Sequence, residues 1–217
     1  MTTQVKVCGL KTLAEARCAR DAGADLLGFI FWAPGKRYVA PERAAQILRD
    51  LRAEDSPRPW AAVGVFVDPD PAEVAEVTER CHFDFVQLSG NESAELVAAM
   101  PRPTIKAVHV RPGAEQVAVD VVRQDALGAA RYLLDTHADG MPGGTGVTFD
   151  WAALQTVVSS CLVAGGLRPD NVSTALSTLR PFGVDVSTGV EYRQGGKDPL
   201  LVRSFVEAVR TYDHRSR

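Results

Sequence analysis

The chain reads as a closed eight-stranded (βα)8 TIM barrel in the α/β class, and three observations predict it. Eight short apolar runs recur along its 217 residues. The runs are near-continuous rather than alternating, as expected of parallel strands buried on both faces. Amphipathic segments with helix-start signals lie between them, giving a repeat of roughly 25 residues, close to what a small eight-fold barrel needs. The rival is a doubly wound open sheet. No GxGxxG follows the first run, and an open sheet of eight strands would leave two edges to protect.

Taken in order, the first strand is expected over residues 5–8, ending on Cys8. Thr12 and Glu15 then make a capping box ahead of Leu13, Ala16 and Ala19, and Gly23 ends that helix. The next strands fall at 26–31 and 61–67. Asp70-Pro71 with Glu73 opens a helix that turns Val74 and Val77 to its apolar side. Strands at 85–88 and 104–110 follow, then a stretch from 113 to 131 whose helix lacks a clear boundary. The sixth and seventh strands lie at 132–135 and 161–164, with a helix beginning near Pro169. The eighth is 184–186, after which Asp198-Pro199 opens a helix carrying Leu201, Val202, Phe205, Val206 and Val209. No linker or shift in composition interrupts the series, so one domain is expected over residues 1–217.

The formal net charge of −3 argues against non-specific nucleic-acid or anionic-membrane binding, which need a basic surface. No apolar stretch approaches the roughly 18 residues of a spanning helix. The opening MTTQVKVCGL lacks a charged region followed by an apolar core, so a cytoplasmic protein is expected. Four cysteines (Cys8, Cys18, Cys81 and Cys161) are scattered without CxxC spacing, which argues against a disulfide framework or zinc site. Cys18, Cys81 and Cys161 read as small core hydrophobes.

The barrel topology predicts where chemistry sits. Strand C-terminal ends and the loops after them converge on one rim. That rim would gather Cys8, Arg37, Asp135, Gly143 to Gly146, Gly165, Gly166 and Ser187 to Gly189. Asp135 ends the run Tyr132-Leu133-Leu134 and could act as a general acid, or as a cap or a partner for a cation. Cys8 could be a nucleophile, a base or a packed core thiol. The loops holding Gly165-Gly166 and Ser187-Thr188-Gly189 follow strands seven and eight, the usual phosphate site of this barrel, though each could be a tight turn only. Gly143-Gly144-Thr145-Gly146 suits either ligand contact or flexibility. Lys36 and Arg37 bring cations to the mouth, and arginine's planar fork suits a carboxylate. His109 and His137 could reach the mouth and receive no role, while His82 and His214 fall outside the rim. Nothing in the residue order suggests a metal cluster or a Ser-His-Asp arrangement.

These residues resemble the phosphoribosylanthranilate isomerase family of tryptophan biosynthesis along nearly the whole chain. The motifs are KVCGL at 6–10, GADLLGFIF at 23–31, KRYV at 36–39, VGVFVD at 63–68 and VQL at 86–88. They continue with LLDT at 133–136, GGTG at 143–146, FDW at 149–151, AGGL at 164–167, NV at 171–172 and DVSTGVE at 185–191. The resemblance implies a cofactor-free Amadori rearrangement of a phosphoribosyl-anthranilate, catalysed by a monomer or homodimer. It implies Cys8 as general base, Asp135 as general acid, Arg37 on the anthranilate carboxylate, and amides around Gly165, Gly166, Thr188 and Gly189 on phosphate. Gly143, Gly144 and Ser187 join the expected substrate contacts. Ser89 stands where the family often has histidine, Lys11 where threonine is usual, and Val147 where a charged residue often follows GGTG. Two other classes compete: a non-catalytic phosphoribosyl-ligand binder, and a sister barrel isomerase that uses two aspartates. The retained Cys8, Asp135 and Arg37 argue against the binder, and Cys8 at the base position argues against the sister isomerase.

Overall fold

The computed structural model describes residues 2–56, 58–111, 113–135 and 154–216. Its strands are β1 (Gln4–Cys8), β2 (Leu26–Ile30), β3 (Ala61–Phe66), β4 (Phe85–Leu88), β5 (Thr104–His109), β6 (Arg131–Asp135), β7 (Cys161–Ala164) and β8 (Gly183–Val186). They pair in chain order, all parallel, and β8 returns to β1 to close the barrel. The expected ends are met to within one residue at each strand.

Closure explains the apolar runs. One face of each strand packs inside the barrel, where Leu26, Val63, Val65, Ile105, Ala107, Leu133, Leu162 and Ala164 meet beside Cys8. The other face packs under the helices, where Val5, Val7, Leu27, Phe29, Phe66, Val86, Leu88, Val184 and Val186 lie in a larger cluster. Such two-sided burial is what a continuous apolar strand encodes. At the N-terminal end of the barrel the Arg131 guanidinium lies 4.0 Å from the centre of the Phe182 ring.

The helices are α1 (Leu13–Ala22), α2 (Pro41–Arg52), α3 (Pro71–Cys81), α4 (Ala94–Ala98), α5 (Glu115–Arg123), α6 (Val172–Leu179) and α7 (Pro199–Arg215). The capping box of α1 is formed, and Gly23 ends that helix in the left-handed conformation. Asp70 caps α3 through the Ala72 N–H, and Asp198 caps α7 through the N–H groups of Leu200 and Leu201. Two helices differ from expectation. α5 occupies the ambiguous stretch, and its N-cap residue Ala114 makes no side-chain bond. α6 starts three residues beyond Pro169, because Asn171 is committed elsewhere. Its amide donates to the Gly166 carbonyl at 3.0 Å and accepts from the Arg168 N–H at 2.7 Å, bracing the preceding loop.

Candidate active site

The C-terminal rim holds a cavity of about 650 Å³. Its walls bring together Arg37, Asp135, Gly165, Gly166, Ser187, Thr188 and Gly189, with Lys36, Arg168 and Asp185 added. Residues from four separate loops and strand ends thus meet as the barrel topology requires. Gly143, Gly144 and His137 lie outside the described residues.

Gly165 and Gly166 follow β7 with φ of 99° and 63°, a left-handed pair that few other residues adopt. At Gly189 a Cβ would collide with the Leu167 carbonyl oxygen, so the loops after β7 and β8 touch backbone to backbone. A short 3₁₀ turn, Thr188–Val190, begins at this contact.

Cys8 ends β1 and is buried, with 5% of its surface exposed. It sits just below the cavity rather than among its walls. Its carbonyl accepts a 3.0 Å bond from Ser187 Oγ, fastening β1 to the loop after β8. Burial pushes the Cys8 thiol above its ordinary range, and Lys6 only partly pulls it back. Cys81 and Cys161 are buried as expected, and burial pushes their thiols up to about 11. Cys18 is only partly buried.

Asp135 ends β6 directly opposite His109 at the end of β5. His109 Nδ1 lies 3.7 Å from Asp135 Oδ2, and its Nε2 is 3.1 Å from the Ser89 carbonyl oxygen. Ser89 therefore leaves β4 without a rim imidazole, and His109 supplies one from the neighbouring strand. Ser89 Oγ accepts instead from Gln87 Nε2 at 3.0 Å.

Arg37 reaches across the mouth to the opposite loop. Its Nε and Nη2 bind the Glu191 carboxylate at 2.6 and 3.0 Å, and Nη2 also donates to Thr188 Oγ1 at 2.6 Å. Glu191 in turn accepts from the buried Lys197 ammonium at 2.8 Å. Burial works against the Glu191 carboxylate, but the bonds from Arg37 and Lys197 outweigh it and hold its pKa at about 2. Lys197 also donates to the Ser187 carbonyl at 3.1 Å.

Sequence reasoning did not single out Lys6, Asp185, Glu191 or Lys197 as site residues. Lys6 looks like the solvent-facing member of the run Gln4-Val5-Lys6-Val7, yet it is fully buried and bonds Asp185 at 2.9 Å. Asp185 and Glu191 stood inside a recognised motif, and only the barrel shows what they face. Among the described residues no cluster of side chains could hold a metal ion.

A family model described as N-(5'phosphoribosyl)anthranilate (PRA) isomerase matches residues 5–208. An N-(5'-phosphoribosyl)anthranilate isomerase of Pseudomonas aeruginosa (strain LESB58) is 42% identical over 211 residues, covering 96% of this chain and 95% of the relative. The crystal structure of phosphoribosyl anthranilate isomerase from Thermotoga maritima superposes with a TM-score of 0.84 at 34% identity, covering 97% of this chain and all of that one. A further phosphoribosyl anthranilate isomerase structure, solved with reduced 1-(o-carboxyphenylamino)-1-deoxyribulose 5-phosphate, gives a TM-score of 0.80 at 32% identity over 97% of this chain and all of its own. With its barrel, rim cavity and motifs in place, the chain belongs to the N-(5'-phosphoribosyl)anthranilate isomerase family.

Proposed function

We propose that Cys8 and Asp135 form the acid–base pair of the family's Amadori rearrangement, converting N-(5′-phosphoribosyl)anthranilate to 1-(o-carboxyphenylamino)-1-deoxyribulose 5-phosphate. The observation that carries this assignment is the rim cavity, which has Asp135 in its wall and places for two anions, with Cys8 at the end of β1 tied by its carbonyl to Ser187 of that wall. The substrate has two anionic groups, a phosphate and a carboxylate.

Asp135 gives a proton to the ring oxygen as the furanose opens to a protonated Schiff base. Cys8, as thiolate, takes the proton from C2′. The C–H electron pair moves to neutralise the iminium, leaving a thiol and an enolamine that tautomerises to the ketone. One acid and one base with separately tuned environments meet the needs of this chemistry. Backbone N–H groups at Gly165, Gly166, Thr188 and Gly189, with Ser187 beside them, receive the phosphate, and Gly143 and Gly144 are the remaining proposed substrate contacts. Arg37 takes the anthranilate carboxylate through Nη1, the arm not used by Glu191 or Thr188. We infer a single catalytic domain over residues 1–217, acting in the cytoplasm as a monomer or homodimer on a small molecule, with no nucleic-acid or membrane partner. The chemistry assigned to these side chains needs no cofactor. Among the described residues no helix is long and apolar enough to cross a membrane.

The test follows anthranilate-type fluorescence after freshly formed phosphoribosylanthranilate is added. Wild-type protein should remove the signal rapidly, while Cys8→Ser and Asp135→Asn should each be slower by about 10²–10⁴-fold, the usual worth of a positioned acid or base. Near-wild-type rates in either variant would reject that residue's role.

A further inference from the structure

The inner wall of the barrel holds a charge that the reaction as written does not use. Lys6 is fully buried inside the barrel, and its side chain rises from β1 two residues below Cys8. Its Nζ bonds Asp185 Oδ1 at 2.9 Å. Asp185 belongs to β8, directly opposite Lys6 in the strand register. Opposite Cys8 on the other side, β2 presents Gly28. A Cβ at Gly28 would stand 2.9 Å from Cys8 Sγ and 3.2 Å from Lys6 Nζ, so the thiol and the ammonium both crowd the space that glycine leaves.

A buried ammonium is costly, and one carboxylate would be enough to balance it. The surroundings hold more positive charge than that. The groups that bear on Cys8 are Lys6 on β1, Asp185 on β8, Lys197 before α7 and Arg37 after β2, with Glu191 joining the last two. Among these five described groups, three are cations and two are carboxylates. With Cys8 as a thiol the group carries one surplus positive charge, and with a thiolate it is neutral.

We propose that Lys6 is a positioning residue for Cys8: from below the sulfur it holds the negative charge that the base must carry, and Asp185 holds Lys6 there. This rests on Cys8 being the base. Lys6 stays charged throughout and transfers no proton. When Cys8 takes the C2′ proton, the sulfur becomes neutral and the ammonium returns fully to Asp185. Burial alone would pull the Lys6 ammonium down, but Asp185 and Cys8 together outweigh it.

The experiment measures alkylation of Cys8 by iodoacetamide across pH, read by peptide mass spectrometry in a Cys18→Ala background. Replacing Lys6 with Met should raise the pH midpoint of alkylation by about one unit or more, lowering the thiolate fraction about tenfold at neutral pH. The kcat should fall in step while KM stays nearly constant. Lys6→Arg should recover part of both. Lys6→Met leaves Asp185 buried without its partner, so Lys6→Met/Asp185→Asn, which removes both charges, serves as the variant that folds without that strain. Its midpoint should also rise, because Lys6 acts on the sulfur more strongly than Asp185 does. An unmoved alkylation profile in either folded variant overturns the inference. Cys8→Ser separates the two claims. If it retains full activity, the base assignment fails whatever Lys6 does; if it is inactive while the Lys6 variants alkylate normally, only the role of Lys6 falls.

Discussion

The Cys8 thiol is pushed up by burial, yet a base must be deprotonated to work. The sign of the pH dependence follows: kcat/KM should rise with pH from neutrality into the alkaline range as the thiolate fraction grows. A stopped-flow profile that is flat between about pH 7 and 9 would count against Cys8 as the titrating base. Arg37 is held by Glu191 through two parallel bonds, so its position is set before substrate arrives. Arg37→Ala should therefore raise KM by about tenfold or more, the scale of one charge-assisted bond, with a smaller effect on kcat. An unchanged KM would remove the carboxylate role. Single residues were legible where a side chain ends a strand, as with Cys8 and Asp135. Lys6, Glu191 and Lys197 were not, because nothing local distinguishes a buried lysine from a solvated one until the opposite strand supplies its partner.

At the scale of elements, Glu191 joins the loop after β2 to the segment before α7. Its pKa is lowered from 4.5 to about 2, so its ionised form is favoured by folding. The stabilisation is fully present above about pH 4.5 and is lost as pH falls through about 2, a contribution on the order of 3 kcal/mol. Glu191→Gln should flatten the acid limb of the stability curve across that window in urea titrations. An unchanged acid limb would show that the pair stabilises nothing. Gly189→Ala drives a methyl group into the Leu167 carbonyl and should separate the two glycine loops, raising KM for the phosphorylated substrate. An analogue lacking the phosphate should bind wild type and variant equally. Helices announced by a capping side chain, α1, α3 and α7, could be read directly from the chain. The starts of α5 and α6 could not, since Ala114 offers no side-chain cap and Asn171 gives its amide to the glycine loop.

Across the whole molecule, the last helix returns to the first strand. Asp213 of α7 accepts from Thr3 N and Oγ1 at 3.1 and 2.7 Å. Arg210 donates to Thr3 O at 2.6 Å and to Asp25 Oδ2 at 2.7 Å. Arg210→Met would remove the cation that Asp25 and Asp213 share, leaving Asp213 to Thr3 and Asp25 to the Val5 N–H and Arg58, and should cost about 3 kcal/mol. In a barrel of this size that lowers Tm by roughly 6–12 °C. The kcat at 25 °C should not change, because Arg210 lies at the far end of the strands; a lost kcat with unaltered Tm would contradict the division between the two ends. The same return of chain end to chain start gives the Lys6–Asp185 pair a meaning for closure. The two residues are 179 positions apart, and they meet only where β8 seals against β1. A barrel closed without its eighth strand would hold an ammonium without its counter-ion, so the Lys6–Asp185 pair rewards only the complete ring, and the seam that joins the chain's two ends also completes the surroundings of Cys8.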